Sequence, residues 1–133
     1  MAPIDCVRSF CRAWSGPDLD AVIAHLADNI LYHNIPMEPL EGVAAVAQYL
    51  RSAGPFDSCE WELVSIAADG DMVLTERVDR MTVRGRPISL RVMGAFLIEA
   101  GRIREWRDYF DLASYRAQFP GTASGNPDGG NTK

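Results

Sequence analysis

Five polar side chains at strand-like spacing could move protons in this chain: Tyr32 and Asn34 in ILYHN, Arg77 and Asp79 in VLTERVDRM, and Asp108 in GRIREWRDYF. Residues two apart on an extended strand share a face, so each pair points the same way. In GRIREWRDYF one face would carry Trp106, Asp108 and Phe110, and the other Ile103, Glu105, Arg107 and Tyr109. A carboxylate between two large aromatics is expected in a dry setting, where desolvation raises its pKa unless a cation answers it. An aspartate that merely caps a loop at the strand end has the same spacing, and perturbed carboxylates are often only structural.

In VLTERVDRM, Val73, Thr75, Arg77, Asp79 and Met81 share one face, and Leu74, Glu76, Val78 and Arg80 the other. Both faces carry charge, so alternation does not decide which is inside. Arg77 and Asp79 are nevertheless what a buried Asp108 would need, a fixed guanidinium able to hold one carboxylate on each side. An exposed ladder of ion pairs fits the same pattern and is worth little energetically. Tyr32 and Asn34 add a phenol and an amide that both donate and accept, although such a pair also suits a buried hydrogen bond or a turn. The two histidines, His25 and His33, are too few for a histidine-based metal site or a nucleophile triad. Cys6, Cys11 and Cys59 are an odd number without CxxC spacing, which suggests neither a disulfide framework nor a zinc site.

The elements that must position these residues can be read from periodicity. Val7, Phe10, Cys11 and Trp14 recur at helical spacing, and SGPDLD supplies a stop and a new start. A second helix is predicted with Asp18 near its cap and Leu19, Val22, Ile23 and Leu26 on its buried side. ILYHNIP reads as a strand ending at Pro36, MEPLEG as a turn, and VAAVAQYLRSAG as a third helix stopped by Gly54 and Pro55. From Cys59 the period becomes two. CEWELVSIAAD, DMVLTERVDRM, RPISLRVMGAFLIEA and GRIREWRDYF are four strands separated by turn-like DGD, VRGR and EAGR, and LASYRAQF is a last short helix. Helices first and an antiparallel meander afterwards indicate an α+β domain in which a bent sheet wraps its apolar face around helices. One catalytic domain over residues 1–119 is expected, with the polar, Gly- and Pro-rich tail 120–133 disordered.

The chain has 133 residues, 47% of them hydrophobic and 23% charged, with no apolar run near the roughly 18 residues of a membrane span. The segment MAPIDCVRSFCRAW does not resemble a secretory signal, so the cytoplasm is the expected compartment. A net charge of −5 with scattered basic residues makes nucleic acid an unexpected partner.

Three fragments in order, YHNIP at 32–36, TERVD at 75–79 and WRDYFD at 106–111, resemble the signature of the limonene-1,2-epoxide hydrolase family. The similarity in order and spacing runs from about Val7 to about Tyr115. The resemblance implies a cone-shaped fold like nuclear transport factor 2, with a strongly curved mixed sheet and covering helices around a deep apolar pocket. It implies that Asp108 matches the family's general base, Asp79 its general acid and Arg77 the arginine between them. Tyr32 and Asn34 then match the pair that holds the attacking water. By position in the resemblance and by element face, Trp14, Met37, Leu90, Val92, Phe110 and Tyr115 would form the apolar walls, although such residues are more often plain core.

The implied reaction converts a small hydrophobic epoxide, terpene-like or cyclic, and water into a vicinal diol. One acid must be ionised while its neighbour stays protonated, so the two aspartates should titrate as a coupled unit. Ring strain supplies much of the driving force, and neither cofactor nor metal is called for. The family likeness also implies a homodimer through the outer face of the sheet. Relatives with a longer N-terminal extension differ from this sequence, which begins close to its first helix. Two other readings fit an α+β fold of this kind. One is a ketosteroid-isomerase-like or polyketide-cyclase-like enzyme, in which an aspartate moves a proton beside a carbonyl. The other is a noncatalytic small-molecule-binding or dimerisation module. Arg77 discriminates, because proton transfer beside a carbonyl does not require an arginine between two acids.

Overall fold

Pro3 lacks an amide proton and sits where a helix does not need one, in the first turn of α1 (Pro3–Ala13). Asp5 in that turn and Arg12 in the last complement the helix dipole. Cys6, Val7, Phe10 and Cys11 form the buried stripe of α1, which packs across four strands of the sheet. The computed structural model describes residues 2–16, 18–53 and 58–119. The predicted stop at Gly54 and Pro55 and the predicted disordered tail 120–133 lie outside the described residues.

After α2 (Leu19–Ile23), capped by the Asp18 carboxylate accepting from the Asp20 amide at 2.9 Å, the chain enters β1 (Leu26–Asn34). Leu26 is buried, but as the first residue of this strand and not on the second helix. The helical spacing misassigned it because an inward-facing residue at either a helix end or a strand start satisfies the same pattern. MEPLEG is not wholly a turn, since Leu40 and Glu41 form a short edge strand, β2 (Leu40–Glu41), antiparallel to β1. Then come α3 (Val43–Ala53), β3 (Ser58–Asp69), β4 (Met72–Val83), β5 (Arg86–Glu99), β6 (Arg102–Tyr109) and α4 (Leu112–Arg116).

The six strands make one curved mixed sheet in the order β2-β1-β6-β5-β4-β3. Strands β3 to β6 are the expected antiparallel meander, and β1 joins it parallel to β6. The fold class is therefore α+β, as expected. Aromatic rings fill the enclosed face. Phe10 of α1 meets Trp106 edge-on with ring centres 5.0 Å apart, and Trp14 stacks on Trp61 at 4.6 Å.

Strand β6 departs from simple alternation. Leu97 pairs with Glu105 but Ile98 pairs with Ile103, so Arg104 is an extra residue in a bulge. One inserted residue reverses the side-chain parity on either side of it. Ile103 is thus fully buried on the same side as Trp106, and not on the opposite face as strict alternation predicted.

Candidate active site

The ladder registers place the polar residues before any side chain is considered. Thr75 of β4 lies beside Gly94 of β5, Gly94 beside Asp108 of β6, and Asp108 beside Asn34 of β1. The next row, toward the aromatic core, is Val73, Phe96, Trp106 and Tyr32. Asp79 lies farther along β4, opposite Trp61 of β3. Arg77 and Asp79 both point to the enclosed face and are almost wholly buried, whereas Glu76 and Arg80 point outward. Arg80 pairs at the surface with Glu62.

Strand β5 separates β4 from β6, so Arg77 reaches Asp108 across about two strand spacings, roughly 10 Å. Its Nε and Nη2 donate to Asp79 Oδ1 and Oδ2 at 3.0 and 2.8 Å. Its Nη1 and Nη2 donate to Asp108 Oδ1 and Oδ2 at 3.1 and 2.9 Å. Nη1 also donates to Thr75 Oγ1 at 3.4 Å. Every N–H of the guanidinium therefore has an acceptor, which fixes the plane of the group. Trp61 covers one face of that plane, with the guanidinium carbon 4.0 Å from the ring centre. Beside this trio the Tyr32 hydroxyl donates to Asn34 Oδ1 at 3.1 Å, and the Asn34 side chain is also a hydrogen-bond partner of Tyr49.

Burial and charge act on this cluster in opposite senses. Burial pushes the Asp79 carboxyl up to about 6; hydrogen bonds and charge from Arg77 oppose the rise, and the Asp108 charge adds to it. Burial alone would lower the Arg77 pKa, but Asp108 and Asp79 outweigh it and raise it, so the guanidinium stays charged. Two carboxylates around one guanidinium leave one negative charge in excess, and a proton on Asp79 neutralises the cluster. Burial, followed by the Asp108 charge, pushes the Tyr32 phenol well above its usual value, so Tyr32 remains a donor.

Asp79 and Asp108 open onto a cavity of about 120 Å³. Tyr32, Asn34, Trp14, Met37, Leu90, Val92, Phe110 and Tyr115 line it as well, and Arg77 lies behind the two acids. Thus all the residues singled out from the sequence lie in or directly behind one chamber, with Met37, 36% exposed, the least enclosed of the core-facing set. Tyr49, Leu50, Ala53, Cys59, Trp61 and Met81 also line it and were not singled out. Trp61 in CEWELVSIAAD and Met81 in DMVLTERVDRM stand on the inward strand parity, which was the available signal. Tyr49, Leu50 and Ala53 come from α3, whose facing toward the sheet no local pattern reveals. Burial, then the Asp79 charge, pushes the Cys59 thiol up to about 12, so it is a wall and not a nucleophile at neutral pH.

A family model described as the limonene-1,2-epoxide hydrolase catalytic domain matches residues 1–120. The chain belongs to the limonene-1,2-epoxide hydrolase family. Epoxide hydrolase EphG of Mycobacterium tuberculosis is 36% identical over 106 residues, covering 80% of this chain and 71% of that protein. The structure of a Mycobacterium tuberculosis LEH-like epoxide hydrolase superposes with a TM-score of 0.78 at 34% identity, covering 87% of each chain. A Catenulispora acidiphila protein described as having a ketosteroid isomerase-like fold has the same TM-score at 20% identity, covering 96% of this chain and all of that one. At that identity the likeness shows the fold alone, the nuclear transport factor 2-like cone that this family shares with others.

Proposed function

We propose that this chain hydrolyses a small hydrophobic epoxide, terpene-like or cyclic, to a vicinal diol in one step. One observation carries the reading: a single buried guanidinium holds Asp79 and Asp108, each through two hydrogen bonds, at the floor of an apolar chamber. A buried ionic trio is seldom the most stable way to fill a core, because desolvation offsets its attraction. Chemistry explains its presence better than stability does.

In this reading Tyr32 and Asn34 hold a water against Asp108. Asp108 takes a proton as the water oxygen bonds to an epoxide carbon. The C–O bond of the ring breaks, and Asp79 gives its proton to the departing oxygen. Atoms and charge balance with water alone, so the step calls for no cofactor or metal. The raised pKa of Asp79 suits an acid that must be protonated before turnover. Return of the proton from Asp108 to Asp79 through solvent resets the pair. Residues 1–119 would form the catalytic unit. A proton-shuttling isomerase of the same fold has no use for an arginine that orients two acids.

The outer face of the sheet exposes Val64, Met93 and Tyr109 on β3, β5 and β6, about half of each side chain's surface being open. This patch supports a homodimer formed through that face. The cytoplasm remains the proposed compartment, and no helix among the described residues is long and apolar enough to cross a membrane.

Single-turnover hydrolysis of limonene oxide and cyclohexene oxide in oxygen-18 water tests the mechanism. Label should enter the diol on the first turnover; label appearing first in the protein would reveal an ester intermediate and exclude direct attack by water. Asp108→Asn should lower kcat by on the order of 1,000-fold or more with the circular dichroism spectrum unchanged, since an amide accepts a hydrogen bond but cannot take the proton. Parental turnover in that variant would remove Asp108 from the role.

A further inference from the structure

Gly94 sits in the middle of β5, a central strand, where a glycine ordinarily weakens the sheet. Its backbone is not in the left-handed region that explains Gly42, Gly70, Gly85 and Gly101. Conformational freedom therefore does not account for it. What does is the space above its Cα. A Cβ placed there would lie 2.6 Å from Arg77 Nη1, 2.8 Å from Thr75 Oγ1 and 2.9 Å from Asp108 Oδ1. All three distances are far inside the roughly 3.5–4.0 Å at which nonbonded atoms rest. Among the described glycines no other has an added Cβ closer than 3.5 Å to a neighbouring atom.

We propose that Gly94 is a positioning residue: it keeps β5 bare so that the Arg77 guanidinium can lie across the strand and hold Asp108 against Asp79. The proposal rests on the hydrolase reading for its consequence in catalysis, but not for its geometry. Strand β5 is bonded on both sides, to β4 and to β6, so its backbone cannot retreat from an added methyl group. The guanidinium must move instead, and it carries the Asp108 carboxylate with it. Thr75 shares the seat, since it accepts the one guanidinium N–H that neither aspartate takes. Gly94 itself does not line the chamber, so an added methyl group makes no direct contact with substrate and acts through Arg77 and Asp108.

The test compares Gly94→Ala with the parent in steady-state hydrolysis of cyclohexene oxide and follows the arginine side chains by nitrogen-15 NMR. The parent should show separate, slowly exchanging guanidinium signals for Arg77, and Gly94→Ala should merge them. Its kcat should fall on the order of 100-fold while KM changes less than about threefold, as expected for misplacement by roughly an ångström. Denaturation supplies a second arm. Gly94→Ala should destabilise the parent and cost distinctly less in an Arg77→Ala background, where the guanidinium is gone and no longer holds the Asp108 carboxylate against the strand. If Gly94→Ala alone does not fold, a folded Arg77→Ala/Gly94→Ala protein supports the same conclusion. Equal destabilisation in both backgrounds, or parental kcat with unchanged Arg77 signals, overturns the proposal. A parent that opens no epoxide, but whose Arg77 signals respond to Gly94→Ala as stated, would count against the hydrolase reading alone and support the seat.

Discussion

Asp79 reverses the usual pH behaviour of an aspartate. Its folded pKa of about 6 lies above the ordinary 3.8, so between these values the folded state binds more protons than the unfolded one. Stability from this group is complete below the unfolded value and is lost as pH rises through about 6. In Asp79→Asn, chemical denaturation across that window should show a flatter or rising stability profile; a slope as negative as the parent's would mean that another group titrates there. In the proposed mechanism the same proton sets activity, because Asp79 must hold it to act as the acid. kcat/KM should therefore decline as pH rises past about 6, whereas an activity still climbing there would point to a different acid. At this scale the sequence showed which residues share a face but not which face was inside. Arg77 and Asp79 alternate with Glu76 and Arg80, and only packing against Trp61 and the aromatic core separates the buried pair from the exposed one.

The hairpins that bring these residues together depend on two-residue turns. Between β5 and β6, Ala100 and Gly101 have φ of 52° and 78°, the left-handed pair that matches the twist of the flanking strands. Glycine accepts that conformation without cost, alanine adopts it only with strain, and asparagine adopts it more readily. Replacing Ala100 with Asn should stabilise the protein by about 0.5–1 kcal/mol, judged by the usual cost of a left-handed alanine. A denaturation midpoint that does not rise would show that the turn is already unstrained. Because EAGR carries its own turn signal, this connection was legible locally, as were DGD and VRGR. The bulge at Arg104 was not, since nothing in GRIREWRDYF distinguishes an inserted residue from a regular one. That is why Ile103 was expected on the wrong face. Leu26 and the short β2 were missed because their strand pairing is supplied by distant partners, Ile103 for one and β1 for the other.

The whole molecule presents two unlike faces of one sheet, an enclosed face bearing the chamber and an outer face bearing Val64, Met93 and Tyr109. If the outer face joins two copies, Met93→Asp should convert the dimer to monomers in sedimentation velocity, because a second carboxylate beside Glu76, its neighbour on β4, would have to be desolvated with it. A parent that sediments as a monomer would dismiss that interface. The sequence by itself determined the α+β order, the meander, the i, i+2 pairing of Arg77 with Asp79 and of Tyr32 with Asn34, and the family likeness. Those features are local, governed by periodicity, turn chemistry and short ordered fragments. Tertiary structure alone decided that Arg77 meets Asp108, 31 residues away, across an intervening strand whose one glycine leaves it room. It also decided that α3 contributes Tyr49 and Leu50 to the chamber. Such contacts follow from strand order, register and helix docking, which are collective outcomes of burying one continuous core and are not encoded in the spacing of any single segment.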